Sequence, residues 1–295
     1  MRPEINFAFF GTPEFSVIIL KELEKASFKP QLVITAPDKP QGRGLEITPS
    51  AVKKWAEERA IPVIQPESIK DEAFLADLKK YEPKGGWTVF IVASYGKIIP
   101  ENILNIPTHK TLNVHPSLLP KHRGSSPVQS ALLNDTETGV TIMRLDAEMD
   151  HGPIVTQKKF DSKGFDWPIS APILEDLLAH LGGELLVETL PGWIEGQIKE
   201  TPQDEAQATY SKKVRKEDGL INISDDPHIN LRKIKAYAGK PGAYYYVIKN
   251  VPAEGDKKIR IVIKDAVLQD GKLIITRIIP EGKQEMKYED FMRNL

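Results

Sequence analysis

The chain has 295 residues, of which 40% are hydrophobic and 27% charged, values typical of globular proteins rather than disordered or fibrous ones. It contains no cysteine, which excludes disulfides, thiol nucleophiles and thiolate metal sites, so catalysis must use oxygen and nitrogen groups. No apolar run is long enough to span a membrane and no signal-peptide pattern is seen, so we expect a cytoplasmic protein without membrane contact.

The charge is unevenly distributed along the chain. Residues 206–295 contain 18 Lys and Arg against 12 Asp and Glu, a net charge of +6, whereas the remaining residues contain 22 against 29, a net charge of −7. A basic segment beside an acidic body is a common electrostatic footprint for phosphate backbones, although small domains also scatter by a few charges. Charge alone leaves both interpretations open.

In the first half of the chain, short apolar runs alternate with stretches of helical period, which predicts a mostly parallel sheet with helices on both faces. The predicted strands are residues 5–10, 31–36, 62–65, 88–93, 111–115 and 140–145, and the predicted helices are residues 13–25, 50–59, 69–81 and 126–134. Strands rich in Val, Ile and Phe without polar alternation are typical of strands buried on both faces. We therefore predict a Rossmann-like α/β fold.

The second half of the chain has a different pattern of apolar and polar residues. Residues 169–198 are amphipathic and predict one or two helices that close a body spanning residues 1–198, and the polar residues 199–210 predict a linker. Residues 211–295 contain a short helical pattern at 230–237 and strand-like runs at 242–248, 258–264 and 272–279, with a hairpin signal at Asp270-Gly271. This pattern predicts a small antiparallel β-barrel of the OB type, a fold that often binds oligonucleotides or saccharides.

The turn after the first predicted strand, FGTPEF at residues 10–15, contains a single glycine. A dinucleotide-binding turn needs three, because the backbone must approach a pyrophosphate closely, so we expect no nicotinamide or flavin cofactor. Ligands of such sheets bind beyond the carboxyl ends of the strands. Polar residues after the last three predicted strands, at 94–96, 113–117 and 146–152, are therefore the strongest candidates for a site.

Asn113 and His115 are two residues apart in a predicted strand, so their side chains should project to the same side. Acyl transfer to an amine passes through a tetrahedral oxyanion, which an amide donor and a protonated imidazole can both stabilise. A nearby carboxylate would orient the imidazole and relay protons, and Asp150 is the first candidate, with Asp146 as its competitor. A histidine near a strand end is, on its own, more often a structural residue.

Two other site types fit the sequence less well. His109, His115 and His122 are separated by six and seven residues, spacings that match no familiar ligand pattern, so we expect no metal. A hydrolytic triad lacks both a cysteine and a Gly-x-Ser-x-Gly elbow.

The segment NVHPSLLP at residues 113–120, followed by Asp150-x-Gly152, resembles the folate-dependent formyltransferases, and the likeness runs from Phe9 to about Ile223. Further segments that are similar to this family are residues 10–15 (FGTPEF), 36–44 (APDKPQGRG), 95–100 (YGKIIP), 123–129 (RGSSPVQ), 137–143 (ETGVTIM) and 209–214 (TYSKKV). The resemblance implies that 10-formyltetrahydrofolate donates its formyl group to the α-amine of methionine on initiator tRNA. No metal is required for this reaction.

The resemblance also implies roles for individual residues. Asn113, His115 and Asp150 match the catalytic trio, and the folate co-substrate would be bound by two segments, whose residues are Ser117, Leu118, Leu119 and Pro120 and Ala93, Ser94 and Tyr95. The acceptor end of the tRNA would be contacted by a loop with Lys39, Gly42, Arg43 and Gly44. Residues 211–295 would bind tRNA as well, and we expect the protein to act as a monomer.

The sequence departs from the family pattern at His151, where threonine is usual, and in the longer approach to the fourth strand at residues 83–87. Three alternatives to transfer onto tRNA stay open. A sugar N-formyltransferase would share the trio but modify an amino sugar on a nucleotide, a hydrolase would release formate from the same folate, and an inactive relative would only bind RNA.

Overall fold

The computed structural model describes residues 5–41, 44–251 and 255–293, in which buried apolar runs form strands and amphipathic stretches form helices. The strands in chain order are β1 (Phe7–Gly11), β2 (Leu32–Ile34), β3 (Lys39–Gln41), β4 (Glu46–Thr48), β5 (Val63–Ile64), β6 (Val89–Ala93), β7 (Thr111–His115), β8 (Arg123–Gly124), β9 (Gly139–Arg144), β10 (Ile154–Lys159), β11 (Tyr210–Ser211), β12 (Ala243–Val251), β13 (Gly255–Gln269), β14 (Lys272–Pro280) and β15 (Met286–Lys287). The helices are α1 (Glu14–Lys25), α2 (Ala51–Glu57), α3 (Glu72–Lys80), α4 (Glu101–Leu104), α5 (Pro127–Asn134), α6 (Ala171–Ile194), α7 (Pro227–Ala236) and α8 (Tyr288–Met292). No helix in these ranges is both long and apolar enough to cross a membrane.

The main sheet has seven strands in the order β10-β9-β7-β6-β1-β2-β5. The five strands from β5 to β7 in this order run parallel to one another. Strand β9 pairs antiparallel with β7, and β10 pairs antiparallel with β9. This arrangement confirms the predicted α/β fold, and all six predicted strands are present. The edge strand β10 was not predicted, because its polar residues from Thr156 to Lys159 suit an edge and lack the apolar run of a central strand.

Helices cover both faces of this sheet. On one face, Phe10 and Phe90 pack with Phe74 and Leu78 of α3 in a single apolar cluster. On the other face, Gly182 of α6 lies so close to the sheet that an added Cβ would come within 2.6 Å of the Val114 side chain. Glycine at this position therefore lets α6, which is one continuous helix, approach the strand that carries Asn113 and His115.

The chain divides into two compact units. The first consists of Met1–Ser125, Thr138–Phe160 and Glu175–Tyr210, and the second of Ser126–Glu137, Asp161–Leu174 and Ser211–Leu295. Two segments from the predicted body at residues 1–198 thus belong to the second unit. The functional division into a catalytic body at residues 1–198 and a binding domain at residues 211–295 stays a prediction.

The second unit contains a four-stranded antiparallel sheet in the order β12-β13-β14-β15. Its turn at Asp270 and Gly271 has positive φ at both residues, 50° and 73°, as a two-residue hairpin of type I′ requires. Side chains of α7, including Leu231 and Ile234, pack on this sheet in one apolar cluster. The arrangement fits a small barrel-like domain.

Candidate active site

Asn113 and His115 lie on β7, and their side chains point to the same face of the sheet because they are two residues apart. Both are buried, with 8% and 4% of their surface exposed. Among the residues that the structure describes, none hydrogen-bonds to the Asn113 side chain. The residue keeps 8% of its surface exposed, so a water or a ligand atom could reach this amide.

His115 is fixed from one side and open towards a carboxylate on the other. Its Nε2 donates to the carbonyl oxygen of His122 at 3.1 Å, and its Nδ1 lies 3.7 Å from Oδ1 of Asp150. The second distance is longer than a direct hydrogen bond but too short to admit another atom, so the imidazole and the carboxylate lie side by side. A reacting group that approaches this pair from the open side would meet an imidazole and a carboxylate together.

Asp150 lies in a tight turn after β9 and has a positive φ of 52°. The backbone N–H of Gly124 donates to its Oδ2 at 2.7 Å, which leaves Oδ1 for His115. Two residues further on, a Cβ at Gly152 would lie 1.9 Å from the carbonyl oxygen of Arg144, so the turn requires glycine there. These constraints set the direction of the Asp150 carboxylate before any ligand binds.

A group of polar side chains from residues 199–210 holds the same turn. The Gln203 amide donates to the carbonyl oxygens of Asp150 and Gly152 at 2.8 and 2.7 Å. Arg123, which is fully buried, donates to the Gln203 side-chain oxygen at 2.8 and 3.0 Å and to the Glu205 carboxylate at 2.6 and 2.9 Å. The segment predicted as a linker thus contributes contacts that support Asp150.

The loop from Ser117 to Pro120 follows His115 directly and is held from β9 and β10. Thr141 donates to the Ser117 carbonyl oxygen at 2.7 Å, and the Gln157 amide donates to the Leu119 carbonyl oxygen at 2.7 Å. Ser117 and Leu119 are buried, whereas Leu118 and Pro120 are partly exposed. Within this predicted folate loop, the latter two side chains are therefore the ones that a ligand can reach.

The second predicted folate segment begins at the carboxyl end of β6. Ala93 and Tyr95 are buried, and Tyr95 packs edge-on against Phe10 with ring centroids 5.4 Å apart. Burial raises the pKa of the Tyr95 phenol to about 12, so it stays neutral at physiological pH. Ser94 between them is exposed and has a positive φ of 48°.

The predicted tRNA loop is an exposed β3–β4 hairpin. Lys39 pairs with Thr48 in its ladder, and Gly44 is exposed, whereas Gly42 and Arg43 lie outside the described residues. Lys39 also lines a pocket of about 620 Å³ with Thr12, Ser50 and Trp55 at the carboxyl ends of β1 and β2. Thr12 donates to the Tyr95 carbonyl oxygen at 3.3 Å, which connects this pocket to the Ser94 turn.

Sequence reasoning missed the residues that support the site. In the sequence, Arg123 stands out only as part of the motif at residues 123–129, and Gln203 and Glu205 only as part of the polar segment at residues 199–210. No local pattern marks Gln203 or Glu205, since their partners are more than 50 residues away in the chain.

An amide, an imidazole and a carboxylate at the carboxyl edge of an α/β sheet are the groups that an acyl-transfer enzyme needs. The family model described as formyl transferase matches residues 5–188. This match covers more than half of the chain, which therefore belongs to the formyl transferase family.

Individual relatives show which formyl transferases this chain is similar to. A methionyl-tRNA formyltransferase from Dictyoglomus thermophilum is 39% identical over 312 residues, covering 96% of this chain and 95% of that protein. Among solved structures, a methionyl-tRNA formyltransferase from Clostridium thermocellum has a TM-score of 0.60 at 15% identity and covers 96% of this chain and 100% of that one. An N-formyltransferase from Helicobacter canadensis in complex with folinic acid and dTDP-3-aminofucose has a TM-score of 0.63 at 20% identity, covering 96% of this chain and 100% of that one. Both solved structures therefore share the fold of this chain.

Proposed function

We propose that this chain transfers the formyl group of 10-formyltetrahydrofolate to the α-amino group of methionine on initiator tRNA. The reaction type is supported by the position of Asn113 and His115 on one face of β7, with the Asp150 carboxylate 3.7 Å from the His115 ring. The acceptor is supported by the near full-length similarity to methionyl-tRNA formyltransferases.

Asn113 and His115 stabilise the charge that develops during transfer. When the methionyl amine attacks the formyl carbon, the carbonyl oxygen becomes an oxyanion, and the Asn113 amide N–H donates to it. The role is supported by the absence of a partner for this amide within the described residues, because no hydrogen bond to them has to break first. The His115 side chain projects from the same face of β7, and an imidazole that takes up a proton during the reaction adds a positive charge, which Asp150 at 3.7 Å stabilises.

Asp150 and His115 also accept and donate the proton that the reaction transfers. The bond between the formyl carbon and the folate nitrogen breaks, a bond from that carbon to the methionyl nitrogen forms, and one proton passes from the amine to the folate nitrogen. The Asp150 carboxylate accepts the amine proton directly or through water, and the imidazole returns one to the leaving nitrogen. The amine of an aminoacyl ester is weakly basic and thus available in its neutral form, so positioning supplies much of the acceleration.

The folate binds along the loop from Ser117 to Pro120 and the turn at Ser94. The exposed positions Leu118 and Pro120 offer apolar contact, and the backbone between them is held in place by Thr141 and Gln157. A loop that is already ordered loses little conformational entropy when it binds a ligand. Ser117, Leu119, Ala93 and Tyr95 then act by fixing the backbone rather than by side-chain contact.

The tRNA is contacted by two surfaces, which we treat separately. The β3–β4 hairpin, where Lys39 and Gly44 are exposed, approaches the acceptor end, and Gly42 and Arg43, which lie between them in the sequence, contact the tRNA as well. In the second unit, Lys258 lies over the exposed ring of Tyr246 at 4.1 Å from its centroid. Aromatic rings beside cations suit bases and phosphates, and the net charge of +6 in residues 206–295 is in keeping with this role.

The reaction serves translation initiation, so the protein works in the cytoplasm where initiator tRNA is charged, and we propose that it acts as a monomer. Sedimentation of the purified chain with and without tRNA measures the latter directly. A single protein peak that shifts by the mass of one tRNA is the expected result.

One assay tests the proposed reaction against its alternatives. Purified protein and labelled 10-formyltetrahydrofolate are offered methionyl-initiator tRNA, a nucleotide-linked amino sugar, or water alone. We expect label on the methionyl amine. Label only on the sugar would indicate a sugar N-formyltransferase, label only in formate would indicate a hydrolase, and tRNA binding without any product would indicate an inactive RNA-binding relative. Each of these three results would overturn the proposal.

A further inference from the structure

His151 follows Asp150 in the turn and faces carboxylates with both ring nitrogens. Its Nδ1 lies 2.7 Å from Oδ2 of Asp146, and its Nε2 lies 3.6 Å from Oε1 of Glu205. A neutral imidazole has one N–H and one lone pair, so one of these carboxylates would then face a lone pair. The geometry matches an imidazolium, in which both nitrogens carry a proton.

His151 closes a ring of contacts around the Asp150 turn. From Asp146 the ring passes through His151 to Glu205, from Glu205 to Arg123, and from Arg123 to Gln203. Gln203 then binds the carbonyl oxygens of Asp150 and Gly152. Arg123 is also the residue before Gly124, whose N–H binds the Asp150 carboxylate at 2.7 Å. A change at His151 can therefore reach Asp150 by two routes. One runs through Gln203 to the Asp150 carbonyl oxygen, and the other runs through Arg123 and Gly124 to the Asp150 carboxylate.

The charges around His151 come from three parts of the first unit. They are Asp146 and Glu148 on its own loop, Asp204 and Glu205 from the segment after α6, and Arg123 and Arg144, which are paired with Glu205 and Glu200. The hydrogen bond to Asp146 raises the pKa of His151, and the negative charges of Asp146, Glu148 and Glu205 act in the same direction, while partial burial opposes them.

We propose that protonated His151 is a positioning residue, which holds the Asp150 carboxylate towards His115 by tying Asp146 to Glu205 across the turn. The inference rests on the proposed function for its consequence in catalysis, but the positioning itself is a property of the free protein. Because the pKa of His151 is raised, the charged contacts from His151 to Asp146 and Glu205 are complete at low pH. They are lost as the pH rises through the pKa that His151 has in the folded protein.

The first experiment compares formyl transfer by the wild type and by His151→Gln across the pH range from 5.5 to about 9, which brackets the ordinary histidine pKa. Glutamine can still donate to Asp146, but it carries no charge. We expect the wild type to have a kcat about fivefold higher at the acid end, with the ratio falling to one at the alkaline end, as one partly exposed charge contact is worth roughly 1 kcal/mol. KM for folate and for tRNA should change less than twofold. Titrations that both enzymes share cancel in this ratio.

The matched control is His109→Gln, since His109 is partly exposed in the first unit and belongs neither to the site nor to the tRNA surfaces, and its kcat ratio to wild type should be one throughout. A ratio for His151→Gln that is the same at every pH would mean that the side chain only fills space, and a ratio of one at every pH would mean that it has no role. Either result overturns the inference.

The second experiment needs neither substrate and separates this inference from the proposed function. The Gly124 amide proton, which binds Asp150, is followed by NMR during a pH titration of the free protein. We expect a shift with the same midpoint as the His151 imidazole, and we expect that shift to be absent in His151→Gln. A Gly124 resonance that is unchanged through the His151 midpoint would contradict the positioning role even if formyl transfer is observed. A coupled titration without any transfer would instead leave the positioning role standing and refute the proposed function.

Discussion

The edge of the sheet that holds Asn113, His115 and Asp150 and the outer face of β12 differ in how much of their structure is fixed before a ligand arrives. At the first, Asn113 and His115 are buried, Asp150 is partly buried, and the turn that carries Asp150 is held by several hydrogen bonds. At the second, Tyr246 is 41% exposed and lies beside the long, flexible Lys258 side chain. One region is preorganised and the other adaptable.

This difference corresponds to two physical tasks. Stabilising a transient oxyanion requires dipoles that are already aimed at it, because reorganisation during the reaction would raise the barrier. Binding a polyanion over a wide surface requires charge and stacking area, for which small displacements cost little. Substitutions in the first region should therefore lower the rate of transfer, and substitutions in the second should weaken binding.

The largest effect is expected at Asn113. Asn113→Ala should lower kcat by about 100- to 1000-fold, the usual loss when one oxyanion donor is removed. The melting temperature should stay close to that of the wild type, since the amide has no partner in the described residues that would be left unpaired. Steady-state kinetics and thermal unfolding measure both quantities. Asn102→Ala, at an exposed position of α4, is the matched control and should retain full activity.

A smaller effect, on binding alone, is expected at the second region. Tyr246→Ala should weaken tRNA binding about tenfold, the loss for one stacked base, while folate binding and the rate within the bound complex stay unchanged. Filter binding of tRNA at several salt concentrations measures this. Val267→Ala, at another exposed position of the same sheet, should bind like the wild type. If Tyr246→Ala slowed the bound complex and left affinity intact, the distinction between the two regions would be wrong.

The smallest effect concerns stability and lies outside both regions. Burial alone would raise the pKa of Glu22, but hydrogen bonds from Lys25 and His180, both at 2.7 Å, lower it below the ordinary value of 4.5. The contribution of Glu22 to folding is therefore present above the unfolded pKa and is lost as the pH falls through the folded pKa. Glu22→Gln should make the melting temperature less dependent on pH between about 5 and 3. Glu57→Gln, at an exposed position of α2, should keep the wild-type slope, and an unchanged slope in Glu22→Gln would refute the assignment.

The parallel strands could be predicted from the sequence, since Val-, Ile- and Phe-rich runs such as residues 88–93 can be buried on both faces only at the centre of a sheet. The sequence was also sufficient for the hairpin at Asp270-Gly271, where two positive φ angles favour these residues. The edge strand β10 and the β3–β4 hairpin could not be predicted, because their polar residues lack a strand period and their pairing depends on distant partners. The same holds for the support of Asp150 by Gln203 and Glu205, which depends on how the chain returns to the site after α6.

The most direct test of the account is a single-turnover measurement with Asp150→Asn, in which folate donor and charged tRNA are already bound. Asparagine keeps an oxygen that can accept from the Gly124 N–H but removes the negative charge beside His115. The account predicts that the transfer rate falls by about 100-fold or more, while the dissociation constants of both substrates change less than twofold. A rate within a few-fold of the wild type would contradict the claim that this carboxylate, with Asn113 and His115, carries the chemistry.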